Sequence, residues 1–257
     1  MSVRSSVATA ARVLAQLRHD PRTLVMIVAV PCVLQTLLKE MFEGQSTVFQ
    51  HIGPPLLGLF PFISMFLVTS ITMLRERTSG TLERLMTMPL GKLDLLGGYG
   101  LAFALVAAVQ ASIVSGVAFG LLGLRVAGPY WAVIALAVGN AILGMALGLL
   151  VSAFAMNEFQ AVQFMPAIVF PQILLCGLLV AREDMARWLR IISALLPLTY
   201  AYDALAKVAA GGPYGARFAA DVAVIVGGTL AALAAIRVRL RGGIPKGAEP
   251  ELAGEDD

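Results

Sequence analysis

Charged side chains are scarce in this sequence: Asp, Glu, Lys and Arg make up 14% of its 257 residues, against 58% hydrophobic ones. Water-soluble domains carry about 25% charge, so composition excludes an ordinary soluble fold, in keeping with a mean hydropathy of +0.83. Lys and Arg (19) barely outnumber Asp and Glu (16), which removes the case for nucleic acid. Cysteine is limited to Cys32 and Cys176, each inside an apolar run. A structural thiol is expected at each in place of a disulfide or metal site. The two histidines, His19 and His51, fall in polar connections, where a surface role is expected instead of ligation. The first 22 residues hold four arginines and no apolar core, unlike a cleaved signal peptide.

What is abundant is long apolar runs, several near the roughly 20 residues that cross a bilayer. The reading is an all-α integral membrane protein with six transmembrane helices. Residues 1–22 form an interfacial helix with Val3, Val7, Ala10, Leu14 and Leu17 on one face. A six-span domain, 23–237, follows. Its spans run from Thr23 to Leu38 with a kink expected at Pro31, from Pro54 to Leu74, within Leu93 to Leu124, within Tyr130 to Phe154, from Ala161 to Val180, and from Phe218 to Ile236. Gly116/Gly120 and Gly144/Gly148 both have GxxxG spacing, which serves packing within one chain or between two. Segment 182–212 is amphipathic, with Met185, Trp188, Leu189, Ile192, Leu195 and Leu196 on one face and Arg187, Arg190 and Ser193 on another, and reads as an external or re-entrant element. The tail 238–257 is expected to be disordered past Pro245. Twelve of the 19 basic residues lie in the N-terminal leader, segment 75–92 and the C-terminal stretch from Arg237 onward, so both termini are placed in the cytoplasm and the chain in a plasma membrane. Fifteen arginines against four lysines point further to a bacterial source.

No carboxylate or histidine lies near the centre of a span, which disfavours a proton relay. Asp94, Glu158 and Asp221 sit at span ends, where solvation or helix capping is expected. GxSxG, HExxH and paired-Asp motifs are absent, and the glycines after Gly91 lack the GxxxxGK[ST] order of a phosphate-binding loop. The chain therefore reads as no enzyme, with no catalytic, metal or cofactor set, and any ATP is bound elsewhere. Segment 75–92 carries an amphipathic helix with Leu82, Leu85 and Met86 as its stripe and Pro89 as its stop. Such a helix can be a solvated connector, lay its stripe on lipid, or dock into a partner's groove.

Glu76-Arg77, then Gly80-Thr81-Leu82-Glu83-Arg84-Leu85 and Pro89, resembles the coupling-helix segment of type-2 permeases of ATP-binding cassette (ABC) exporters. So does Cys176-Gly177-Leu178-Leu179 through Trp188-Leu189 to Leu196-Pro197-Leu198-Thr199-Tyr200 and Asp203-Ala204-Leu205, which is similar to the family's signature before the last span. The family often has proline just before the tryptophan-bearing helix, where this chain reads Met185-Ala186-Arg187-Trp188. The resemblance implies a drug-resistance or multidrug export permease that forms a homodimer or a heterodimer with a related chain, in contact with membrane lipid. It implies two cytoplasmic ABC ATPase subunits that dock on Glu76, Arg77 and Gly80 to Leu85. It also implies a path lined by the second and fifth spans and an external gate at Trp188, Pro197, Leu198, Thr199 and Tyr200. A non-transporting scaffold that uses the same helix to bind another partner is the alternative.

Overall fold

A computed structural model describes residues 3–79 and 92–241. In chain order these form α1 (Val3–Arg18), α2 (Pro21–Met41), α3 (Ser46–Thr78), α4 (Lys92–Gly120), α5 (Tyr130–Ser152), α6 (Glu158–Leu175), a 3-10 turn (Arg182–Asp184), α7 (Arg187–Ser193), α8 (Pro197–Ala209) and α9 (Ala216–Arg241). Among the described residues the fold is all helical, and six helices, α2 to α6 and α9, are long and apolar enough to cross a bilayer. The short α7 and α8 meet at a bend of 87°. Gly80 to Leu85, Pro89 and the tail past Arg241 lie outside the described residues.

The second span is longer than the apolar run suggests. At 33 residues α3 measures about 50 Å, so its polar ends stand clear of a hydrocarbon core of about 30 Å. From Gly53 to Leu59 it is buried on every side, as expected of a helix that is apolar all round. Its main neighbour is α5, where Gly144 and Gly148 remove the side chains that would collide with the backbone carbonyls of Phe62 and Phe66. This GxxxG pair is thus spent inside the chain. A Cβ at Gly116 or Gly120 would meet nothing within 4 Å, so the other pair faces outward.

Helix α2 begins on Asp20, which caps its N-terminus, with Pro21 in the first turn. The Thr23 hydroxyl and backbone N–H, donated at 2.5 and 3.2 Å, hold the Asp20 carboxyl below its ordinary value. Within α2, Pro31 cannot donate to the Ile27 carbonyl one turn earlier. Gln110 of α4 supplies the missing donor, its Nε2 lying 2.8 Å from that oxygen. Hydrocarbon offers no substitute, so Gln110→Leu is expected to destabilise the detergent-solubilised protein by about 1–3 kcal/mol. Adding Pro31→Ala should restore much of the loss by returning the backbone donor. Thermal melts of the single and double variants measure both effects.

The N-terminal helix is more than a surface float. Its buried residues are Thr9, Ala10, Val13 and Leu17, seated on α4, whereas Val7 of the expected stripe is exposed. Gly98 makes this close approach possible, because any Cβ there would strike Thr9. The span-end carboxylates also depart from expectation. Asp94 and Asp221 are buried, and only Glu158 stays at the surface, because the neighbouring α1 and α8 cover those ends of α4 and α9.

Candidate coupling site at the base of the second span

The last turn of α3 presents Arg75, Glu76 and Arg77 in three directions, and each finds a different element. Glu76 is buried beside α1, its Oε2 lying 3.7 Å from Nη2 of Arg12. The same Nη2 donates to the Tyr99 hydroxyl of α4 at 2.6 Å, and the guanidinium lies 5.8 Å from the Tyr99 ring centroid. Arg12 is therefore shared between α3 and α4, and Tyr99, itself fully buried, fixes its position. Arg75 makes a bidentate pair with Glu158 in the first turn of α6, at 2.7 and 2.9 Å. Arg77 donates to the Ala155 carbonyl in the turn between α5 and α6.

Helix α6 is built to receive these contacts. Asn157 caps it by accepting from the Gln160 N–H at 2.9 Å, while Gln160 accepts from the Met156 N–H at 2.8 Å, a reciprocal cap that sets the entry angle. Glu158 then sits where the helix dipole favours an anion. The Arg75–Glu158 pair is solvent-exposed and adds little stability, but its two-pronged geometry defines the spacing of α3 and α6. Beside it a cavity of about 700 Å³, lined in part by Gln16, Asp20, Thr72 and Arg75, opens between α1 and α3. These helices are thus held at Arg12 and Glu76 rather than by continuous packing.

In its N-terminal half α3 meets the segment before α9. Leu205 of α8 and Asn140 of α5 crowd Gly58 of α3, and Asn140 donates to the Gly58 carbonyl at 2.9 Å. Backbone and hydroxyl groups pin the bend between α7 and α8. Ser193 donates to the Leu175 carbonyl at 2.7 Å, Thr199 to the Ser193 carbonyl at 2.9 Å, and Tyr200 to the Ala194 carbonyl at 2.7 Å. Two ion pairs, Arg182–Asp203 at 2.9 Å and Lys207–Asp221 at 2.5 Å, tie this segment to itself and to α9.

Of the residues singled out from sequence, Glu76 and Arg77 lie together at the base of α3, and Gly80, Thr81, Leu82, Glu83, Arg84 and Leu85 fall outside the described residues. Trp188 is exposed on α7, Pro197 opens α8, Leu198 and Thr199 are buried, and Tyr200 braces the bend. One expectation is corrected here. The residues from Met185 to Leu196 do not share a single helical face, because the helix stops at Ser193 and turns. Ser193 points into the protein, whereas Trp188, Ile192 and Leu195 point out, since the hydroxyl needs the carbonyl of Leu175 and the apolar groups can rest in lipid. Arg12, Tyr99 and Arg75 were not singled out as site residues. Their partners lie 87 residues apart for Arg12 and Tyr99, and 83 for Arg75 and Glu158, a distance no local pattern spans. Asn157-Glu158-Phe159-Gln160, a polar turn in the sequence, is the cap that places Glu158.

Comparison with known proteins gives the family of the chain. A family profile described as ABC-2 type transporter matches residues 6–209. The chain is 30% identical over 154 residues to a protein from Escherichia coli (strain K12) named probable multidrug ABC transporter permease YbhR, covering 58% of this chain and 41% of that protein. It is 25% identical over 176 residues to ABC transporter G family member 20 of Dictyostelium discoideum, covering 68% of this chain and 24% of that protein. The matched stretch thus spans less than half the length of either relative.

Proposed function

Because the chain belongs to the ABC-2 type transporter family, we propose that this transmembrane permease exports an amphipathic drug, lipid or lipid-linked glycan, driven by ATP hydrolysed on a separate cytoplasmic subunit. The observation that carries the mechanism is the triple attachment at the base of α3: Glu76 to Arg12, Arg75 to Glu158, and Arg77 to the turn before α6. The segment from Gly80 to Leu85 continues from this point and is the proposed docking element for the ATPase. A push on it would be delivered to α1, α4 and α6 together, and along α3 to Leu205 of α8 near the proposed external gate. That is rigid-body gating through a packed helix. Two permease halves, identical or related, would enclose the path, with the second and fifth spans as its lining.

The charge distribution supports a cytoplasmic position for this end, since twelve of the 19 basic residues lie in the leader, segment 75–92 and the stretch from Arg237 onward. The name of the E. coli relative supports a multidrug cargo. The chain's own contribution is a moving wall, with hydrolysis assigned to the partner. Reconstitution of the chain with its ATPase in lipid vesicles tests the proposal. ATP hydrolysis should rise when an amphipathic cargo is added and ATP-dependent movement of that cargo should accompany it. Hydrolysis indifferent to every cargo, with none moved, would instead fit a scaffold.

A further inference from the structure

Basic residues gather where the topology gives least reason for them. Five of the seven Lys and Arg on the side opposite the termini fall between the end of α6 and the first turn of α9: Arg182, Arg187, Arg190, Lys207 and Arg217. The positive-inside tendency disfavours such a cluster, so it calls for a local cause. All of them except Arg187 line one cavity of about 680 Å³ between the end of α6, α7, α8 and the start of α9. Asp203 and Asp221 neutralise Arg182 and Lys207 within it. Arg190 and Arg217 make no ion pair among the described residues, and Glu183 is the one remaining carboxylate in the lining. The cavity therefore keeps a net positive charge, with two arginine forks free to bind.

Its surroundings indicate the kind of anion. Trp188, Ile191 and Leu195 are exposed on the adjoining helix and turn, at 64%, 60% and 78%, and an apolar group of that size faces lipid rather than water. Tryptophan marks headgroup depth. A charged cavity beside such a surface matches an amphiphile with a phosphate at one end and chains at the other, and arginine's planar fork suits phosphate oxygens.

We propose that this cavity binds the phosphate of an anionic phospholipid through Arg190 and Arg217, with the acyl chains lying against Trp188, Ile191 and Leu195. Only the leaflet concerned rests on the topology proposed above; binding itself requires neither ATPase nor transport. Native mass spectrometry of the full chain with added phosphatidylglycerol, phosphatidylcholine or inorganic phosphate tests it. Phosphatidylglycerol should be retained in preference to phosphatidylcholine. Each basic residue near an anionic lipid is worth about fivefold, so Arg190→Gln with Arg217→Gln should weaken phosphatidylglycerol binding about thirty-fold. Arg187→Gln, which removes one positive charge outside the cavity, should change nothing, and Arg190→Lys with Arg217→Lys should retain most of the binding. A thermal melt matching the parent would show that the double glutamine variant is folded. Equal retention by that variant, or an equal loss in Arg187→Gln, would overturn the proposal. Displacement of the lipid by millimolar inorganic phosphate would overturn the lipid assignment and identify a free-anion site.

Discussion

Replacing Glu76 with Lys is expected to abolish cargo-stimulated ATP hydrolysis while leaving the chain in the membrane. The substituted ammonium would face Arg12 at a point where α1 and α3 are joined beside an open cavity. Breaking a buried pair by reversing one partner costs several kcal/mol. Arg12 keeps 34% of its side-chain surface in solvent, so the low end applies, about 2 kcal/mol or roughly a thirty-fold shift in the equilibrium that holds the helices together. The swapped double variant, Arg12→Glu with Glu76→Arg, should recover coupling in part, limited by loss of the Arg12 contact with Tyr99. Tyr99→Phe, which removes that hydroxyl acceptor and keeps the ring, should show a smaller defect. Full activity in Glu76→Lys would detach this pair from coupling altogether.

The largest effect on folding is expected at Gly144 and Gly148. A leucine at either position drives side-chain atoms into the carbonyls of Phe62 or Phe66, and α3 has no room to withdraw, because Leu57, Phe62 and Phe66 are fully buried. Overpacking of this kind costs about 1–3 kcal/mol for a side chain that can rearrange, and more when backbone must move. Loss of the monodisperse folded peak in detergent is the expected outcome for Gly144→Leu and Gly148→Leu. Gly116→Ala and Gly120→Ala should behave oppositely. Both positions are open, and replacing a helical glycine with alanine gains up to about 1 kcal/mol. Melting temperatures of the four variants separate the pairs by sign.

That contrast shows what a single sequence can and cannot disclose. Two GxxxG pairs look alike along the chain, and only the position of a neighbouring backbone distinguishes the packed one from the open one. The spans themselves were readable, because hydrocarbon demands an apolar run of fixed length whatever the tertiary arrangement. Polar ends were harder. Asp94 and Asp221 looked like solvated span ends and are buried, since another helix covers each of them. Ser193 looked like part of a polar face and instead anchors a bend through the carbonyl of Leu175. Glu76 and Arg77 came from a motif, but Arg12 and Tyr99 could be paired with them only in three dimensions. Pro31 raised the expectation of a kink, and its partner Gln110 was invisible until α4 lay beside α2.

The most direct test of the coupling account is purification of the tagged chain from native membranes under mild detergent, beside a variant carrying Leu82→Asp and Leu85→Asp. An ABC ATPase that accompanies the parent chain and is lost from a variant inserted at the same level is the expected result. An ATPase bound equally to both chains, or to neither, would contradict the assignment of this segment as the site through which the permease is driven.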